Sequence, residues 1–69
     1  MLSRTRKLLA EAEKWCDGGW GRRSRLAREI GVAPQAVTNW LKGRQAPTVE
    51  QALAIQEFLA IQEFLKKQK

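Results

Sequence analysis

The sequence predicts an all-α domain, a small bundle of four or five helices. Three observations predict it. Apolar residues between positions 3 and 16 recur at i, i+3 and i+4. Gly31 and Pro34 punctuate a second helical pattern and split it in two. Thr48 and Gln51 mark the start of a last stretch that nothing breaks before position 66. With 69 residues, the chain is read as a single domain over 1–69. A core of that size is marginal unless the helices pack closely or the chain oligomerises.

The first helix is expected over 3–16, with Ser3 as its N-cap. Thr5, Leu8, Leu9, Ala12, Trp15 and Cys16 keep the inward rhythm, and Arg4, Arg6, Lys7, Glu11, Glu13 and Lys14 fall on the other side. Trp15 and Cys16 read as core. Asp17-Gly18-Gly19-Trp20-Gly21 is a loop, and Trp20 is expected to fold over the open end of the core.

A second helix starts at Gly21 or Arg22 and buries Leu26, Ala27 and Ile30. Gly31 must end it, because glycine enters the left-handed conformation at no steric cost. Val32 can fold back onto the helix just ended. Pro34 restarts the chain, since its fixed φ suits a first helical position and its missing N–H would have had no partner there. The third helix, 34–42, has Val37, Trp40 and Leu41 inward. Gln35, Thr38, Asn39 and Lys42 lie on a different face.

That outer face carries no charge until Lys42. Gln and Asn can pair bidentately with adenine, and Thr can bond a base edge or touch a thymine methyl, so these are base-reading groups. Four arginines fall within seven residues, Arg22, Arg23, Arg25 and Arg28. Arg22 and Arg23 stand at a helix N-terminus, where N–H groups and the helix dipole already favour an anion. Arg25 and Arg28 point to other sides, and Arg28 could meet an acidic side chain.

The stretch Leu26 to Lys42 resembles the helix-turn-helix of the phage Cro/repressor, or XRE-like, family. The resemblance rests on Ala27, Gly31, Val37 and Trp40, with Leu26, Ile30 and Val32 in the expected core slots. It departs from the family in one place: a glutamine is frequent where this chain has Arg23. The resemblance implies a lambda-repressor-like domain, with the helix-turn-helix at about 22–42. It also implies insertion of helix 34–42 into the major groove of double-stranded DNA. Gln35, Thr38 and Asn39 would then read bases, with Pro34 and Ala36 against thymine methyls. Arg22, Arg23, Lys42 and Arg44 would hold phosphates.

Gly43 closes the third helix, and Arg44-Gln45-Ala46-Pro47 is a short loop. Thr48 and Gln51 form a capping box that opens a C-terminal helix over about 49–66, with Lys66, Lys67 and Lys69 at its end. Inside it lies a perfect tandem hexapeptide, Ala-Ile-Gln-Glu-Phe-Leu at 54–59 and again at 60–65. Six helical residues turn roughly 600°, so the second copy points about 120° away from the first. Ile55, Phe58 and Leu59 suit the core. Ile61, Phe64 and Leu65, extended by Ala54 and Leu53, then form a second apolar stripe for which a homodimer interface is the expected use.

Thirteen Lys and Arg against seven Asp and Glu leave a formal charge of +6, which favours a polyanionic partner. A single cysteine, Cys16, cannot form an internal disulfide, and this suits a cytoplasmic setting in a bacterium or phage. With no histidine, His-containing metal sites and triads are excluded, and no nucleophile–base pair marks an enzyme. No cofactor, small-molecule ligand or membrane partner is expected. The expected function is sequence-specific DNA binding by a dimeric repressor on a pseudo-palindrome. The alternative is an antitoxin-like module that binds a protein through the apolar C-terminal helix.

Overall fold

The computed structural model describes residues 3–68. Four helices account for most of them: α1 Ser3–Asp17, α2 Arg22–Ile30, α3 Pro34–Leu41 and α4 Val49–Lys66. No strand occurs among the described residues. The all-α bundle is therefore the fold, with four helices rather than five. α1 already includes Ser3, so Ser3 is a helical residue and not the cap; residues 1, 2 and 69 lie outside the described residues.

One core holds the four helices together. Leu9, Ala12 and Cys16 come from α1, Leu26 and Ala27 from α2, Val37 and Trp40 from α3, and Ile55 and Phe58 from α4. Leu8, Trp15, Ile30, Val32, Ala36, Leu41 and Leu59 pack around it, partly buried. Ala27 sits where α2 and α3 meet, and its single methyl lets the two backbones come close. No polar or charged side chain is buried among the described residues. The Cys16 thiol lies in this core, and burial pushes its pKa up, against a smaller lowering from Arg23. It stays protonated and behaves as a small apolar filler.

The turn between α2 and α3 forms as its residues require. Gly31 takes φ 87°, and the N–H groups of Gly31 and Val32 both donate to the Ala27 carbonyl at 2.9 Å. Ala33 is extended (ψ 149°), and Pro34 opens α3. α4 opens on the capping box: Gln51 N–H donates to Thr48 Oγ1 at 3.1 Å, and Thr48 N–H donates to Gln51 Oε1 at 2.8 Å.

Trp20 does not cover the core; its side chain is fully exposed, at 102 % of the reference area. Arg22 has taken the place where it would have folded. The Arg22 guanidinium lies 4.9 Å from the centre of the Trp15 ring and donates from Nη1 to the Trp15 carbonyl at 3.0 Å. Trp15 in turn meets the Phe58 ring edge-on, with centroids 4.9 Å apart. The end of the bundle is thus closed by an arginine stacked on the half-buried Trp15, and Trp20 is left at the tip of the loop.

Candidate nucleic-acid interface

α3 presents two faces whose chemistry differs. Val37 and Trp40 are buried, and Leu41 packs partly against the core. On the outside, Pro34 and Gln35 are exposed, and Thr38 and Asn39 are half-exposed. Gln35 Nε2 donates to Asn39 Oδ1 at 3.2 Å, one turn apart. This pair aligns two amides on one face and leaves the Gln35 carbonyl and the Asn39 amide N–H groups open. One acceptor and one set of donors therefore face outward together, the combination that an adenine edge complements. Ala36 is half-buried against the core and stands only at the edge of this face.

Cations flank the uncharged face. Arg23 Nη1 reaches Thr38 Oγ1 at 3.4 Å, so the start of α2 stands directly beside α3. At the other end of α3, Lys42 and Arg44 are exposed. The helix ends there in a paired closure: Gly43 at φ 74° donates to the Trp40 carbonyl at 3.1 Å, and Arg44 N–H donates to the Asn39 carbonyl at 2.9 Å. Lys42 itself is the terminal αR residue, and Gly43 follows it in the left-handed position.

Arg22 is differently placed. Its guanidinium is held on Trp15, so the cation that faces α3 from α2 is Arg23. Arg25 lies over the Phe58 ring at 5.8 Å while staying exposed, and Arg28 is exposed as well. The backbone at the start of α2 remains available. Gly21 makes no side-chain cap, and the first turn holds no acidic residue. Its unpaired N–H groups stand beside Arg23, a combination that suits a phosphate oxygen. α4 makes the contrast, because its first turn is capped by Thr48 and carries Glu50.

A helix-turn-helix family model matches residues 22–64, which is more than half of the chain. The chain belongs to the helix-turn-helix family of the Cro/repressor, XRE-like kind, and is a DNA-binding regulator of transcription. Comparisons with curated proteins and with solved structures gave no match. No helix among the described residues is long and apolar enough to cross a membrane, and no group of three or more His, Cys, Asp or Glu among them could hold a metal ion.

Sequence reasoning put Trp15 and Phe58 in the core and Arg22 on a phosphate, and did not foresee the stack that joins the three. A cation seven positions from an aromatic, across a glycine loop, has no helical periodicity to reveal it.

Proposed function

We propose that the protein is a dimeric repressor that reads a pseudo-palindromic operator by laying α3 in the major groove. The observation that carries this reading is the uncharged amide and hydroxyl face of α3, with Arg23 beside Thr38 at its middle and Lys42 and Arg44 following its C-terminal end. A solvated helix face would carry Glu and Lys; this one carries groups that match base edges. Gln35, Thr38 and Asn39 read bases, with Pro34, and Ala36 at the margin, against thymine methyls. Arg23, Lys42, Arg44 and the open N–H groups at the start of α2 around Arg22 fix the register on phosphates. Twofold binding places two copies of α3 one turn apart, roughly 10 bp. Occupying the operator is then sufficient to block transcription.

The dimer reading is supported by α4, where Leu53, Ile61, Phe64 and Leu65 stay exposed. Burying a side chain of this size contributes about 1.5–3 kcal/mol, so a paired stripe is a plausible driving force for association. The same exposed stripe favours a second reading, in which α4 holds a protein partner in the manner of an antitoxin. Sedimentation separates the two: the first requires self-association by the chain alone, and the second a monomer.

Selection of bound duplexes from a random pool tests the lead reading. A symmetric consensus supports it, and a pool without enrichment sinks it. Gln35→Ala should cost about 1–3 kcal/mol on the selected site and relax choice at one base pair. Arg23→Ala should weaken all duplexes alike and reduce the salt slope by about one.

A further inference from the structure

We infer that a second copy of the chain covers the outer face of α4, with the two helices antiparallel and Ile61 of each opposite Phe64 of the other. The inference deepens the dimer reading above and rests on it. Glu57, Ile61, Phe64 and Gln68 follow one another at steps of four, three and four residues, the spacing of a heptad seam. All four are exposed, and exposed Ala60 and Leu65 flank them. Ile55, Phe58 and Leu59 take the opposite side of the helix into the core. The seam is continuous to its end. Lys67 and Gln68 prolong the last turn, and their N–H groups donate to the Phe64 and Leu65 carbonyls at 3.1 Å.

The order of charges along α4 identifies the occupant. Glu50, Glu57 and Glu63 all precede Lys66 and Lys67. Glu50 and the lysines also suit the dipole of their own helix, but that effect fades within the first and last turns. Glu57 lies beyond its reach, in mid-helix. Its neighbours three and four residues away, Leu53, Ala54, Ala60 and Ile61, are apolar, so no cation of α4 stands beside it. A parallel twofold pair would set Glu57 against Glu57 inside an apolar contact. An antiparallel pair centred between Gln62 and Glu63 sets Glu57 opposite the partner's Gln68 and within reach of the partner's Lys67. Symmetry makes that contact twice. The two Glu57 residues then stand about 16 Å apart along the axis. Ile61 meets the partner's Phe64, and the small Ala60 leaves room for the partner's Leu65. A register centred on Leu59 would cover Leu53 as well. It would also bring the two Glu57 residues within about 6 Å along the axis, opposite Ile61 and away from any lysine. Charge therefore selects both the direction and the register.

Sedimentation equilibrium of the full chain without DNA tests the pairing. The variants are Phe64→Ala, Glu57→Lys, Lys67→Glu and the double Glu57→Lys/Lys67→Glu, all at exposed side chains. Phe64→Ala should weaken the dimer by tenfold or more, because it empties the centre of the contact. Each single charge reversal makes two attractive pairs repulsive. It should weaken the dimer about tenfold at low salt, the order expected for two exposed ion pairs, and less as salt rises. The double variant should recover the wild-type affinity, since the exchanged charges again face one another across an antiparallel pair. In a parallel pair each position faces itself, so the double would recover nothing. A dimer that neither single reversal weakens, or that the double fails to restore, overturns the inference and leaves the dimer reading intact. A dimer indifferent to Phe64→Ala overturns it too, by placing the contact elsewhere. A wild-type chain that stays monomeric overturns both and leaves this face to a different protein.

Discussion

The two copies of Ala-Ile-Gln-Glu-Phe-Leu in α4 are identical in sequence and opposite in fate. In the first, Ile55 and Phe58 are buried, at 0 % and 8 % exposure. In the second, Ile61 and Phe64 are exposed, at 55 % and 62 %. The glutamines exchange roles as well: Gln56 is exposed and Gln62 half-buried. Nothing in the hexapeptide itself distinguishes the copies. Both lie in one unbroken helix, and six residues carry the second copy about 120° round the axis. What was the core face in copy one becomes the outer face in copy two, so burial here is a property of phase relative to α1 and α2. One copy closes the domain, and its duplicate leaves an apolar stripe for something else to cover.

Matched substitutions test that division most directly. Ile55→Ala should cost about 3 kcal/mol in urea unfolding, because it empties a site that is fully enclosed. Should Ile55→Ala instead prove mild, copy one is not the closing element. A smaller effect is expected from deleting 60–65. The chain then keeps one hexapeptide in the core register and should remain folded, but lose the dimer. Affinity for a two-half-site operator should fall by about 2 kcal/mol while a single half-site is bound as before. Sedimentation and mobility shift read the two halves of that outcome, and a deletion that does not fold would show that copy two also supports the core.

Smaller still is the effect of Thr48→Ala. This removes the cap that starts both copies in register and should cost about 1 kcal/mol by thermal unfolding. The smallest change belongs to Ile61→Ala. Measured at protein concentrations that keep the chain monomeric, its stability should stay within about 0.5 kcal/mol of wild type, although it is the counterpart of Ile55. A large loss there would place Ile61 in the core and erase the contrast between the copies.

The remaining differences between expectation and structure have the same origin. Trp20 was expected inward because a large aromatic near an open end usually finds the core. Arg22 occupies that end instead: its guanidinium stacks on Trp15 and donates to the Trp15 carbonyl, which also accepts from Gly18 N–H. Arg22 and Arg23, adjacent in the chain, thus separate into a residue packed on Trp15 and one that reaches α3. Ser3 lies within α1 and not at its cap position.

What the sequence determined by itself is whatever depends on neighbours three or four residues apart. That includes the four helices, the Gly31–Pro34 turn, the Thr48–Gln51 box, the polar face of α3, and the 120° offset between the two hexapeptides. These follow from backbone geometry and need no partner. Only the tertiary structure decided which arginine faces α3 and which tryptophan is left in solvent. Those outcomes are competitions among side chains from different helices for one closed volume, and local spacing holds no record of who wins.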